Sequence, residues 1–303
     1  MRRYLLLFVD GVGLAPATSA NPLATVPMPA LASALGGPLT SESVGRRGDG
    51  VALAALDATL GVPGLPQSAT GQTALFTGVN APAALGRHVA AFPGPRLAAL
   101  LAAGSVLRRA AEAGRRVAFA NAFSPAYFEE VAAGRRRHSA TTLAALAAVA
   151  AGARLRDLDD LAAGRACSWD VRRDHLRRFA PGVAPVADRE AGGHLAALAA
   201  THHLVLWETF MTDLAGHLRR GWTAAEALER LDGLLDGVLA ARPAGLTVLL
   251  VSDHGNLEAG EHPRHTANPV PLLAIGPDAA AFADLARVDE LAPRLLARLA
   301  VPL

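Results

Sequence analysis

The sequence predicts an α/β fold, a three-layer sandwich in which a largely parallel sheet lies between helices, and three observations carry that expectation. Short apolar runs recur without polar alternation, as strands covered on both faces require. Most of these runs end in polar residues. Between them lie Ala/Leu/Arg stretches with helical spacing.

The first run, YLLLFVDG (4–11), has six residues from Tyr4 to Val9 before Asp10 interrupts. That is too short for the apolar part of a secretory leader, and it reads as a buried strand. GDGVALAALDATLG (48–61) is ambiguous, and a strand over 47–57 is one of its readings. Helical spacing covers 96–113, 139–151, 188–201, 223–241 and 284–299. The runs RVAFANAF (116–123), HLVLWET (203–209), LTVLLVSDHG (246–255) and VPLLAIGP (270–277) supply the remaining strands. Residues 124–190 depart most from this alternation, so an inserted segment would lie there; no stretch reads as a linker, and 1–303 reads as one domain.

Composition narrows the class. With 303 residues, 51% hydrophobic and 18% charged, the chain can bury a sizeable core. The formal charge is only +2, and every cation is Arg. Arg46-Arg47, Arg108-Arg109, Arg115-Arg116, Arg172-Arg173, Arg177-Arg178 and the triplet Arg135 to Arg137 are scattered with few aromatics between them, which argues against a nucleic-acid partner. Arg, Glu or Gly breaks each long apolar stretch, so no membrane span is expected. The single Cys167 excludes an internal disulfide and a cysteine-built zinc site, in keeping with a cytoplasmic protein. The oligomeric state is left open.

Ligands of parallel α/β sheets bind beyond the carboxyl ends of the strands. Asp10 ends the first run, Asp253 and His254 end the run at 246–252, and FMTDLAGH after the run at 203–209 brings Asp213 and His217. His265, in RHTANPVP, precedes the last run, with His262 as a competing donor. Each has an ordinary alternative: a turn for Asp253-His254, a cap for Asp10, a surface hydrogen bond for Asp213/His217, a backbone-bonded loop residue for His265. Their joint placement at one sheet edge outweighs these. Six oxygen and nitrogen donors of this kind suit two divalent cations, Mn2+ or Zn2+.

LPQSATGQTALFTGVNAP (65–82) places Ser68 before a small, Gly-containing turn and an apolar helix. Ser68 could be a plain cap, or a nucleophile at a helix N-terminus, where backbone N–H groups favour a phosphate.

VDGVG (9–13), QSATGQTALFTG (67–78), TDLAGH (212–217), SDHGNLE (252–258) and HTANPVP (265–271) together resemble the alkaline phosphatase superfamily, in particular the catalytic core of cofactor-independent phosphoglycerate mutase and phosphopentomutase. The resemblance implies one metal held by Asp213, His217 and His265, and a second held by Asp10, Asp253, His254 and the nucleophile. The nucleophile aligns with Ser68, Thr70 being the alternative. Such a core implies phosphoryl transfer to and from a phosphate ester through a phosphoserine. Only residues 78–212 separate the nucleophile from Asp213, which leaves little or no cap domain, argues against a full phosphoglycerate mutase and favours a phosphoester hydrolase. The family's substrate-handling lysines are absent. A small sugar-phosphate mutase and a metal-binding protein without turnover are the rival readings.

Overall fold

The computed structural model describes residues 2–48, 50–133, 141–260 and 262–301; the triplet Arg135, Arg136 and Arg137 lies outside them. Seven strands form one sheet: β1 (Arg3–Val9), β2 (Arg47–Gly48), β3 (Val51–Leu56), β4 (Val117–Phe119), β5 (Leu204–Thr209), β6 (Leu246–Val251) and β7 (Val270–Ile275), in the order β2-β3-β7-β6-β1-β5-β4. β4, β5, β1 and β6 are mutually parallel, with Phe8 of β1 level with Glu208 on one side and Val251 on the other.

The apolar runs lack alternation because each feeds two cores. Tyr4, Leu6 and Phe8 pack on one face with Leu75, Phe76, Leu101, Leu107 and Leu295. Leu5, Leu7 and Val9 pack on the other with Leu31, Leu195, Leu231 and Leu235. Helices Ser68–Thr77, Pro95–Gly104, Val106–Glu112, Leu143–Ala150 and Leu291–Arg298 therefore cover the first face, and Pro29–Leu35, Asp188–Thr201 and Ala224–Ala240 cover the second. This is the sandwich expected from the sequence.

Three details differ from the simplest reading. The stretch at 96–113 divides at Ser105, whose hydroxyl accepts from Arg108 N and starts a new helix. Only Leu291–Arg298 of 284–299 is α-helical, since Pro293 has no N–H to give and is tolerated only in a first turn. β7 runs antiparallel to β6 and to β3. The β6–β7 connection, residues 252–269, therefore leaves and re-enters the sheet at one edge. A residue preceding β7 thus lies beside residues that follow β1, β5 and β6, which a wholly parallel sheet would not allow.

The segment after β4 returns to it through isolated bridges, Asn121 with Cys167 and Ala122 with Arg156, and carries a small core of its own around Ala122, Leu161, Ala166 and Leu176. No helix among the described residues is long and apolar enough to cross a membrane.

Candidate metal centre

All seven residues singled out from the sequence stand at the carboxyl edge of the parallel strands, in two adjoining groups. Asp10 follows β1, and its N–H donates to Thr209 O at 3.1 Å, tying it to the end of β5. Asp253 and His254 follow β6 and are fully buried. Ligating atoms of Asp10, Asp253 and His254 all lie within 4.8 Å of one another, and so do those of Asp213, His217 and His265. The rings of His254 and His265 stack with centroids 3.7 Å apart, which places the groups side by side.

Asp213 sits in the helix Met211–Gly216 that follows β5, and His217 closes it, so the four-residue spacing brings both onto one face. His217 Nε2 lies 3.3 Å from Asp213 Oδ1. Gly11 makes the approach of this helix to the β1 loop feasible. Its φ of +74° is left-handed, and a Cβ there would come within 2.8 Å of Asp213 Oδ1. Gly11→Ala is therefore expected to cost more than about 1 kcal/mol and to weaken metal binding at Asp213. Thermal melting and calorimetric metal titration check both.

Each imidazole turns its Nδ1 to a carbonyl: His217 to Pro263 O at 3.0 Å, His265 to Pro66 O at 2.9 Å, His254 to Gly255 O at 3.3 Å. A carbonyl only accepts, so Nδ1 bears a proton in each and Nε2 is the nitrogen that points inward. With the Nδ1–H of both rings turned to a carbonyl, Nε2 of His217 and Nε2 of His265 face each other at 3.1 Å, lone pair to lone pair in that tautomer. That contact is repulsive unless a cation lies against both. Histidine metal ligands are anchored in this way through their second nitrogen. Oδ1 of Asp253 is buried without a hydrogen bond, and Oδ1 of Asp10, also buried, has only the His254 Nε2 contact at 3.2 Å. The residues present fit two divalent cations bound through nitrogen and oxygen.

The electrostatics are those of a site built for positive charge. Burial, then the charges of Asp253 and Asp213, push Asp10 well above the usual carboxylate range. Burial also raises Asp253. For His254 burial acts downward, but the Asp253 and Asp10 carboxylates outweigh it and hold the imidazole up to about 10. Burial and the neighbouring His254 charge push His265 down to about 4.

Ser68 opens the helix Ser68–Thr77, and its Oγ lies 3.0 Å from His254 Nε2. The backbone does not offer the anion cradle that a helix start suggests, because the N–H groups of Ala69 and Thr70 both meet Val89 O, at 3.1 and 3.3 Å. Thr70 is fully buried; its hydroxyl donates to Gln67 O and accepts from Val89 N, away from both groups. His262 is exposed and in neither group. Asn21 caps the helix Pro22–Thr25 through Leu23 N.

Four supporting residues escape a reading by residue type. Gln72, one turn beyond Ser68, donates to Asp253 Oδ2 at 3.1 Å. Asn256 donates to Asp213 Oδ1 at 2.8 Å. Glu258 accepts from Gly13 N and Asn256 N, both at 2.8 Å, and from Thr266 and Asn268, joining the loop after β1 to both ends of the β6–β7 connection. The signal for Asn256 and Glu258 was their position inside SDHGNLE. Glu208, two residues before Phe210, is 1% exposed, with Oε2 unbonded and Oε1 accepting from Thr142 at 2.6 Å.

Burial raises Glu208 from the usual carboxylate value to about 8, against the Thr142 hydrogen bond. The folded state therefore keeps a proton that the unfolded chain loses above about pH 4.5, so this group's contribution to stability falls as pH rises toward 8. Glu208→Gln is expected to flatten the decline of the melting temperature between pH 5 and 8, on the order of a few kcal/mol at the upper end. Melting curves across that range are the check.

Comparison with known proteins agrees with this geometry. The family model described as the Metalloenzyme superfamily matches residues 189–299, the stretch that holds Asp213, His217, Asp253, His254 and His265. The alkaline phosphatase of the Antarctic bacterium TAB5 superposes over 99% of each chain with a TM-score of 0.60 at 14% identity. Residues 189–299 are thus similar to a metalloenzyme superfamily, and the fold of the whole chain is that of alkaline phosphatases. The fold is also shared by the Thermus thermophilus alkaline phosphatase, with a TM-score of 0.55 at 16% identity over 100% of this chain and 92% of that one. In sequence, the chain is 38% identical over 100 residues to the 2,3-bisphosphoglycerate-independent phosphoglycerate mutase of Cereibacter sphaeroides, which is 30% of this chain and 19% of the mutase. It is 39% identical over 98 residues to that of Rhodopseudomonas palustris, again 30% and 19%. The chain thus matches about a fifth of the length of these mutases.

Proposed function

We propose that the protein is a phosphoryl-transfer enzyme dependent on two divalent cations, Mn2+ or Zn2+, and that it hydrolyses a small-molecule phosphate ester through Ser68. The observation that carries the reading is Ser68 Oγ standing 3.0 Å from His254 Nε2, against the two adjoining donor groups. Asp213, His217 and His265 would hold one cation, and Asp10, Asp253, His254 and Ser68 the other. When bound, the cations supply Lewis acidity and positive charge at the sheet edge.

The chain's own part is placement. Ser68 is fixed by the first turn of its helix, and Gln72, on the next turn, holds Asp253. The Ser68 hydroxyl attacks phosphorus in line; the Oγ–P bond forms as the ester P–O bond breaks. The hydroxyl's proton is lost, and the departing alkoxide takes one up, so an alcohol leaves. Water then attacks phosphorus, restoring the Ser68 hydroxyl and releasing inorganic phosphate. The Asn256 contact to Asp213 and the Glu258 links between loops keep the donor groups in register throughout.

The mutase relatives favour a second reading, in which a hydroxyl of the same substrate replaces water and an isomerised ester leaves. A panel of phosphate monoesters assayed with metal-loaded protein separates the two: inorganic phosphate marks hydrolysis, an isomerised ester marks mutation. Absence of both, with no phosphoryl adduct on the Ser68 peptide by mass spectrometry, would sink phosphoryl transfer and leave a metal-binding protein without turnover.

A further inference from the structure

The chain has only nine Phe, three Trp and two Tyr. Phe123, Tyr127, Trp169, Phe179 and Phe210 nevertheless meet around one cavity of about 310 Å3. That volume lies at the lower end for small-molecule sites, which are characteristically apolar with few polar groups. Four of the rings form tilted contacts in two pairs, Phe123 with Tyr127 at 4.2 Å and Trp169 with Phe210 at 5.9 Å, so the walls are a packed aromatic surface. Glu208 also lines this cavity, with its buried Oε2 lacking a partner. Phe179, 63% exposed, stands at the cavity's rim with its ring 5.3 Å from that of His175.

The cavity shares no lining residue with the two donor groups, but the chain links them through Phe210. Phe210 in its wall starts the helix Met211–Gly216, and Leu214 N bonds Phe210 O at 2.9 Å, so Asp213 lies within one helical turn of it. At 1.5 Å rise per residue that is about 5 Å along the axis. Thr209, between Glu208 and Phe210, takes the Asp10 N–H. A phosphate held at the Asp10 and Asp213 side therefore has the aromatic cavity as its neighbour. The walls come mainly from residues between β4 and β5, the region whose sequence departs most from the strand and helix alternation.

We infer that this cavity is the subsite for the alcohol part of the substrate, and that the substrate is a phosphate monoester of an alcohol bearing an aromatic ring. The inference rests on the phosphoryl-transfer reading, so its test has one arm that needs no turnover. Phenethyl phosphate and ethyl phosphate share a primary alkoxide leaving group and differ only in the ring. Metal-loaded wild type is expected to favour phenethyl phosphate by about tenfold or more in kcat/KM. Phe179→Ala, which removes an exposed wall, and Ala126→Trp, which blocks the cavity from an exposed lining position, are each expected to bring that ratio toward one, with the loss carried by KM. A purely structural defect would lower both esters together, and Phe92→Ala, on an exposed loop outside the cavity, is expected to keep the ratio.

In the second arm, phenethyl alcohol is titrated against the fluorescence of the tryptophans, Trp169 being in the wall. Saturable quenching in wild type, lost in both cavity variants, supports the subsite even where neither ester is turned over, in which case hydrolysis falls and the cavity stands. A wild-type ratio near one, a ratio that neither variant changes, or quenching that does not saturate overturns the inference.

Discussion

Ser68→Ala is expected to lower turnover of the best phosphate ester by at least about 1000-fold, while the melting temperature changes little. The asymmetry follows from what the hydroxyl touches. Ser68 Oγ has His254 Nε2 at 3.0 Å as its side-chain partner, while the helix behind it is held by Ala69, Leu75 and Phe76 in the core. Removing one half-buried oxygen leaves that packing intact. A Ser68→Thr variant adds the control: its methyl group crowds the same oxygen, so activity should fall without a loss of bound metal. Thr70→Ala should spare activity far better, because the Thr70 hydroxyl is engaged by Gln67 O and Val89 N and faces away from both donor groups. Steady-state kinetics with metal content measured on the same samples reads all three. Equal losses in Ser68→Ala and Thr70→Ala would move the nucleophile or remove the need for one.

The strands and the edge they share were legible because burial on both faces leaves a plain mark, an apolar run without alternation that stops at a polar residue. Leu5, Leu7 and Val9 against Tyr4, Leu6 and Phe8 are that mark resolved into two cores. The direction of β7 was not legible, since periodicity carries no information on which way a strand runs. It nevertheless decides the site, because only an antiparallel β7 brings His265, which precedes a strand, beside His254, which follows one. Residue type marked Asp10, Asp213, His217, Asp253, His254 and His265, since a carboxylate or imidazole at a strand end is out of place in an ordinary core. Gln72, Asn256 and Glu258 were hidden for the opposite reason: amides and carboxylates that satisfy neighbours through hydrogen bonds look like ordinary polar residues until their partners are known. The aromatic cavity was hidden as well, because Phe123, Trp169 and Phe210 belong to separate stretches of chain that meet only when the segment after β4 folds back.

Exhaustive chelation is expected to abolish turnover and lower the melting temperature together, and the size of the second effect depends on pH. A ligand at about 1000 times its dissociation constant stabilises the folded state by about 4 kcal/mol for each site, and one kcal/mol moves a chain of this size by about 2 °C or more. Removing both cations should therefore cost about 15 °C near pH 8. The cost should shrink as pH falls. Without the cations the His254 imidazolium, held up to about 10 by Asp253 and Asp10, supplies the positive charge that the carboxylates require, and loading the site must expel that proton. Metal binding thus releases protons and strengthens with rising pH, whereas at acid pH the proton competes and the loaded and chelated proteins converge. The two groups should also separate by mutation. Asp213→Ala removes an oxygen from the Asp213, His217, His265 group and should lower bound metal from about two ions to about one, while Asp10→Ala should do the same from the other group. Elemental analysis gives the stoichiometry and calorimetry in two buffers of different ionisation enthalpy gives the protons released. Melting and turnover that survive complete chelation at pH 8 would show that His217 Nε2 and His265 Nε2 face each other for a reason other than a shared cation.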